Sequence, residues 1–93
     1  MNTKYLLKNL NLLCSLFQAR SLSALNDRDR NTYSSAYFQC MSIIELVKVE
    51  DHNNAALKWR ALMYYADDSV PVSEAFLEKY ELLRQRIINA GLQ

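Results

Sequence analysis

Ninety-three residues make one small domain, which buries only about 60–65% of the surface of its unfolded chain. With 11 Lys plus Arg against 10 Asp plus Glu, the formal net charge is +1, which removes the electrostatic case for nucleic acid or an anionic membrane as the main ligand and favours association with other proteins. One glycine and one proline in a chain that is 51% hydrophobic and 11% aromatic leave little turn vocabulary, so the fold is predicted to be all-α, a single helical domain over 1–93 with more apolar surface than it can bury against itself.

The first helix is predicted over about Thr3 to Leu25. Leu6, Leu10, Leu13 and Phe17 follow one helical stripe, Leu7, Cys14 and Leu22 flank it, and Leu12 and Leu16 widen it. A helix this apolar sits between two layers or meets another chain. Its stretch YLLKNLNLLCSLF is broken by Lys8, Asn9 and Asn11, falls short of the ~20 apolar residues that span a bilayer, and lacks an A-x-A type cleavage site. It is read as an amphipathic helix, with no membrane insertion and no signal peptide.

NDRDRN, residues 26–31, changes composition abruptly and is predicted to be a connector, its arginines neutralised by Asp27 and Asp29. A second helix from about Thr32 to Val49 places Tyr33, Tyr37, Cys40, Ile44 and Val47 on one stripe beside Ala36, Ile43 and Leu46. Phe38 and Met41 lie off that line and suit a second contact surface. EDHNN ends the helix.

The third helix, about Asn54 to Ala66, carries Ala56, Trp59, Leu62 or Met63, and Ala66 on its main stripe. Tyr64 and Tyr65 point about 100° apart, so one of them faces away from whatever the other packs on. Asp67 and Asp68 are expected to stop the helix, and Pro71 disfavours helical geometry at Val70 while suiting the first turn of the next helix. That fourth helix, about Pro71 to Asn89, is the cleanest amphipath. Phe76, Tyr80, Leu83 and Ile87 share one face opposite Glu74, Glu78, Glu81 and Gln85, and Gly91 serves as the stop.

Catalytic chemistry finds few candidates. One histidine, His52, and two distant cysteines do not supply the usual metal-ligand set, and no nucleophile has a signature such as G-x-S-x-G. A single glycine excludes glycine-rich phosphate loops. The paired carboxylates at 50–51 and 67–68 fall at predicted helix ends, where they act as breakers and caps. Cys14 and Cys40 sit apart in apolar helical stretches and read as buried reduced thiols, which points to the cytoplasm. The expectation is a non-enzyme without metal or cofactor.

The lengths and links describe antiparallel helix pairs, a tetratricopeptide-like stack of about four helices. Trp59-Arg60-Ala61-Leu62 fits the opening of the tetratricopeptide pattern, although Met63 stands where its glycine belongs and Tyr65 and Tyr80 each fall one place from the expected aromatic. No sibling repeat is visible about 34 residues upstream. A closer likeness covers residues 36–77: a cysteine in the preceding helix, then AALKWRALMYYAD with Arg60 and the Leu62-Met63 pair, then SEAF. This stretch resembles the small helix-repeat co-chaperones of bacterial type III secretion.

That resemblance implies a chaperone which, together with a second small helical co-chaperone, holds the needle subunit in the cytoplasm by laying its amphipathic C-terminal helix in an apolar groove. The groove is then expected to be lined by Tyr37, Met41, Trp59, Met63 and Tyr64, because methionine conforms to a partner and aromatic residues supply binding hot spots. Leu7 and Phe17 on the first helix would meet the co-chaperone. The competing expectation is a self-associating helical bundle acting as a regulator or adaptor, which would use the same stripes to pair with itself.

Overall fold

A computed structural model describes residues 2–70 and 73–93. These form four α-helices: α1 (Thr3–Ser23), α2 (Asp27–Lys48), α3 (His52–Ser69) and α4 (Glu74–Asn89). The all-α expectation holds. Each helix opens on a short polar side chain that accepts a hydrogen bond from the backbone N–H three residues on: Asn2 from Tyr5 at 3.1 Å, Asn26 from Asp29 at 2.8 Å, Asp51 from Asn54 at 3.3 Å and Ser73 from Phe76 at 3.3 Å. These bonds satisfy amides that the first turn leaves without intrahelical partners.

Three boundaries differ from the sequence expectation. Residues 27–31 are the first turns of α2, not a connector. Asn26 caps them, Asp27 and Asp29 sit where the helix dipole favours acid, and Arg30 pairs with Asp27 at 2.9 Å. Likewise α3 begins at His52 rather than Asn54, because Asp51 is its cap. It also runs through Asp67 and Asp68 to Ser69. Asp67 is compatible with the helix because its carboxylate reaches Arg84 of α4 at 3.8 Å. Val70 is extended, ψ 123°, as expected before a proline, and its N–H still bonds to Ala66 O at 3.2 Å. The expected role of Pro71 lies outside the described residues; Ser73 caps α4.

Links of a few residues set consecutive helices antiparallel. The Cys40 thiol donates to Leu10 O and Ser21 Oγ donates to Arg30 O across α1 and α2, while Tyr65 Oη donates to Thr32 O across α3 and α2. Close backbone packing joins α1 with α2, α2 with α3, and α1 with α4. Thus α1 does lie between two layers. Among the described residues no Cα of α3 lies within 8 Å of one in α4, although the two follow each other in the chain. Their seam is bridged by side chains.

The core runs the length of the molecule. Leu6, Leu10, Leu13 and Phe17 of α1 are fully buried, as are Ile43 and Val47 of α2 and Ile87 of α4. At one end Phe17, Tyr33, Phe76 and Tyr80 form an aromatic cluster with ring centroids 5.5–6.2 Å apart, and Arg20 lies over the Phe76 ring at 5.5 Å. At the other, α4 closes in a full Schellman turn. Gly91 takes φ 113°, its N–H bonds to Ile88 O, and the N–H of buried Leu92 bonds to Ile87 O.

Candidate functional site

The seam between α3 and α4 is open because large side chains meet across it. Trp59, Met63 and Ala66 point inward from α3, and Phe76, Tyr80, Leu83 and Ile87 from α4. Tyr80 Oη donates to Met63 Sδ at 3.4 Å, so a phenol and a thioether fill space that smaller residues would close by bringing the backbones together. On the outer side this leaves a groove of about 430 Å³ lined by Trp59, Arg60, Met63, Tyr64, Asp67, Arg84, Ile88 and Gln93.

Its floor is apolar and its rim is polar. Trp59 shows 2% of its surface and Met63 8%, so both contribute an edge rather than a face. Tyr64 stands out of the wall at 75% exposure. Arg84 is held by Asp67 at 3.8 Å and Glu81 at 3.5 Å, and Arg60 Nε donates to its own helix at Ala56 O. The lining thus contains two arginines against one aspartate, on a surface that offers an aromatic ring and a methionine to a ligand. Burial pushes the Tyr80 phenol beneath the groove up to about 12, so it is neutral and a hydrogen-bond donor at ordinary pH.

Three of the seven residues singled out in the sequence, Trp59, Met63 and Tyr64, therefore share one groove. The other four do not join them. Phe17 points inward and is fully buried in the aromatic cluster, so it is not part of an outward face of α1. Leu7 is half-buried and packs against the core. Tyr37 is half-buried too, and its ring meets Phe38 edge-on at 5.3 Å. Met41 is 38% exposed on α2. Of the two adjacent tyrosines, Tyr64 is the outward one. Tyr65 is half-buried, with its hydroxyl on Thr32 O. Met63 turns inward with Leu62 rather than leaving that position to leucine.

Two further grooves lie apart from the seven predicted site residues, the second of them at Phe38, which the sequence reading places on a second contact surface. Leu12, Ser15 and Leu16 of α1 face Lys79, Leu82 and Leu83 of α4 around a volume of about 350 Å³, where the apolar contribution is almost entirely leucine. Between α2 and α3, Phe38 borders a second groove of about 350 Å³ with Ser35, Gln39, Ser42, Lys58 and Ala61. Leu82 was hidden because it neighbours Leu83, which satisfies the inward stripe. An unmatched leucine beside a matched one was the available signal. Ile88 has the same relation to Ile87.

Among the described residues no group of three or more His, Cys, Asp or Glu side chains is arranged to hold a metal ion, and no helix is long and apolar enough to cross a membrane. No family model, curated protein or solved structure matches the chain.

Proposed function

We propose that this chain is a non-catalytic cytoplasmic chaperone of the type III secretion kind, which holds the amphipathic C-terminal helix of a needle subunit and so prevents its premature polymerisation. The observation that carries this reading is the α3–α4 groove, with Trp59 and Met63 in its floor and Tyr64 free on its wall. Helix-in-groove recognition needs an apolar channel with a few anchor contacts along it, and a flexible methionine beside aromatic rings is suited to that task. The likeness of residues 36–77 to the co-chaperones is the ground for proposing a needle subunit as the cargo. On this reading the second small co-chaperone covers the leucine groove between α1 and α4, through Leu12 and Leu82 rather than Leu7 and Phe17.

Co-expression with a needle subunit and a second small helical protein of the same secretion locus tests the proposal. A stable heterocomplex is expected on gel filtration, and Tyr64→Glu should lose the needle subunit while circular dichroism stays unchanged, since the side chain is mostly in solvent already. A well-behaved homodimer that ignores both proteins contradicts it. That outcome belongs to the second reading, a self-associating regulator or adaptor, which the same leucine groove favours. There Leu82→Glu converts dimer to monomer.

A further inference from the structure

The chain is close to neutral, but its charges are unevenly spread. All 10 acidic residues follow residue 26, so α1 holds Lys4, Lys8 and Arg20 and no carboxylate. Arg20 is engaged, with a hydrogen bond to Ser73 Oγ at 3.1 Å and its guanidinium over the Phe76 ring. Lys4 and Lys8 are exposed. They form a ridge that leads into Leu12, because residues four apart are neighbours on a helix. On α4, Lys79 lines the leucine groove and exposed Arg86 follows Leu82 by one turn. None of these four cations, Lys4, Lys8, Lys79 and Arg86, forms an ion pair among the described residues.

The carboxylates of α4 do not restore the balance. Glu81 is turned to Arg84 at 3.5 Å, on the side of α4 that meets Asp67 of α3. Glu74 is exposed. Glu78 stands one turn before Leu82 but does not line the groove. The groove itself encloses about 350 Å³, with Leu16 and Leu83 set back and Leu12, at 45% exposure, and Leu82, at 52%, on its lips.

An apolar slot between two antiparallel helices, rimmed by unpaired cations, matches a helix that puts apolar side chains into the slot and carboxylates against the rim. A second copy of this chain fits less well. The leucines alone would suit it, but a two-fold interface sets one patch against itself and would bring Lys79 and Arg86 toward their own images, where like charges repel. An anionic bilayer offers negative charge, yet it takes up apolar side chains that protrude, whereas Leu16 and Leu83 are recessed.

We propose that the α1–α4 face docks an amphipathic helix of another protein whose apolar stripe is flanked by Asp or Glu. This rests on the reading that the leucine groove seats a partner, and it adds the chemistry by which that partner is chosen. Apolar contact holds the helix, and Lys8, Lys79 and Arg86 reject one with basic flanks.

The probe is a set of synthetic helical peptides of about five turns that share one leucine stripe and differ only in its flanks, which are all Glu, all Gln or all Lys. They are titrated against the purified full-length chain by fluorescence anisotropy. The Glu-flanked peptide is expected to bind about tenfold more tightly than the Gln-flanked one, the worth of two or three rim ion pairs. The Lys-flanked peptide should be weakest, and the differences should shrink as added salt screens the rim. Lys79→Glu with Arg86→Glu should reverse the order of the peptides, and Leu82→Glu should abolish binding of all three, while Tyr64→Glu in the other groove changes nothing. These side chains are already in solvent, so circular dichroism of the variants should match wild type.

Equal affinity for the three peptides, no binding of the Glu-flanked one, or binding lost in Tyr64→Glu rather than in Leu82→Glu overturns the proposal. So does a wild-type dimer that becomes a monomer in Leu82→Glu, or a chain that ignores the peptides and binds phosphatidylserine-containing vesicles through Lys79 and Arg86. The peptide series on the wild-type chain is decisive even if a variant does not fold. No secretion protein enters this test, so flank-dependent peptide binding without a needle-subunit complex removes the chaperone reading and keeps the docking face. The opposite pair of results does the reverse.

Discussion

Glu50 and Gly91 occupy the same place in two different helices. Each is the residue after the C-cap, and each donates its N–H within a Schellman turn: Glu50 to Val47 O at 3.1 Å with Asp51 to Leu46 O at 2.9 Å, and Gly91 to Ile88 O at 3.0 Å with Leu92 to Ile87 O at 3.3 Å. Glycine takes the required positive φ without penalty, whereas Glu50 sits at φ 61° with a Cβ that crowds the backbone. Glu50→Gly is therefore expected to stabilise the chain by about 0.5–1 kcal/mol, seen as a higher urea midpoint with an unchanged slope. A lower midpoint would mean that the glutamate side chain contributes more than its strain costs.

Tyr80 gives a prediction with a definite pH window. Its phenol is held neutral by burial, first of all, and by the nearby Asp67 carboxylate, to about 12 against an ordinary value of 10.0. The unfolded chain therefore loses this proton near pH 10 while the folded chain keeps it, so the stabilisation is fully present below pH 10 and is lost as pH rises toward 12. The loss is on the order of 2 kcal/mol. Buried Tyr33 shifts in the same direction. Tyr80→Phe should lose less stability than wild type between mildly and strongly alkaline solution, measured by denaturant unfolding at each pH. Equal losses in the two chains would remove Tyr80 as the source.

At the scale of the helices, legibility followed how cleanly each segment separates its faces. The α4 stripe Phe76, Tyr80, Leu83 and Ile87 is buried as predicted, and Glu74, Glu78, Glu81 and Gln85 are exposed. The Leu6-Leu10-Leu13-Phe17 stripe of α1 is equally faithful. Charged segments were the ones misread. NDRDRN resembles a loop by composition, yet Asn26 followed three residues later by Asp29 is a capping arrangement: Asn26 Oδ1 accepts from Asp29 N–H, and its Nδ2 donates to Asp29 Oδ2 at 3.1 Å. Asn26→Ala should cost about 1 kcal/mol and lower the thermal midpoint by about 4–8 °C. The exposed Asn31→Ala, past the cap, should leave it in place. If both variants melt like wild type, the cap does not set where α2 starts.

The whole molecule has a surface of 5757 Å², close to the about 5,500 Å² expected for a folded chain of this mass. The expected apolar surplus is therefore not an inflated total area. It resides in particular side chains left outside: Phe38 at 66%, Leu57 at 57% and Tyr64 at 75%, with Leu12 and Leu82 around half exposed. The α3–α4 groove was not legible in the sequence, because it depends on α4 packing beside α1 and on Trp59, Met63 and Tyr80 holding the seam apart. Neither feature leaves a periodic signal. What periodicity did supply was the split between Tyr64 and Tyr65, since adjacent residues on a helix cannot face the same way.

The proposal that this groove receives a partner's helix is tested most directly by placing a photo-crosslinking amino acid at position 64 and irradiating the chain in co-expressing cells, with position 57 on the same helix as a control. Position 64 is predicted to crosslink to the C-terminal helix of the needle subunit, with position 57 giving little. Crosslinks from position 64 to a second copy of this chain, or to nothing while position 57 captures the cargo, would contradict the account.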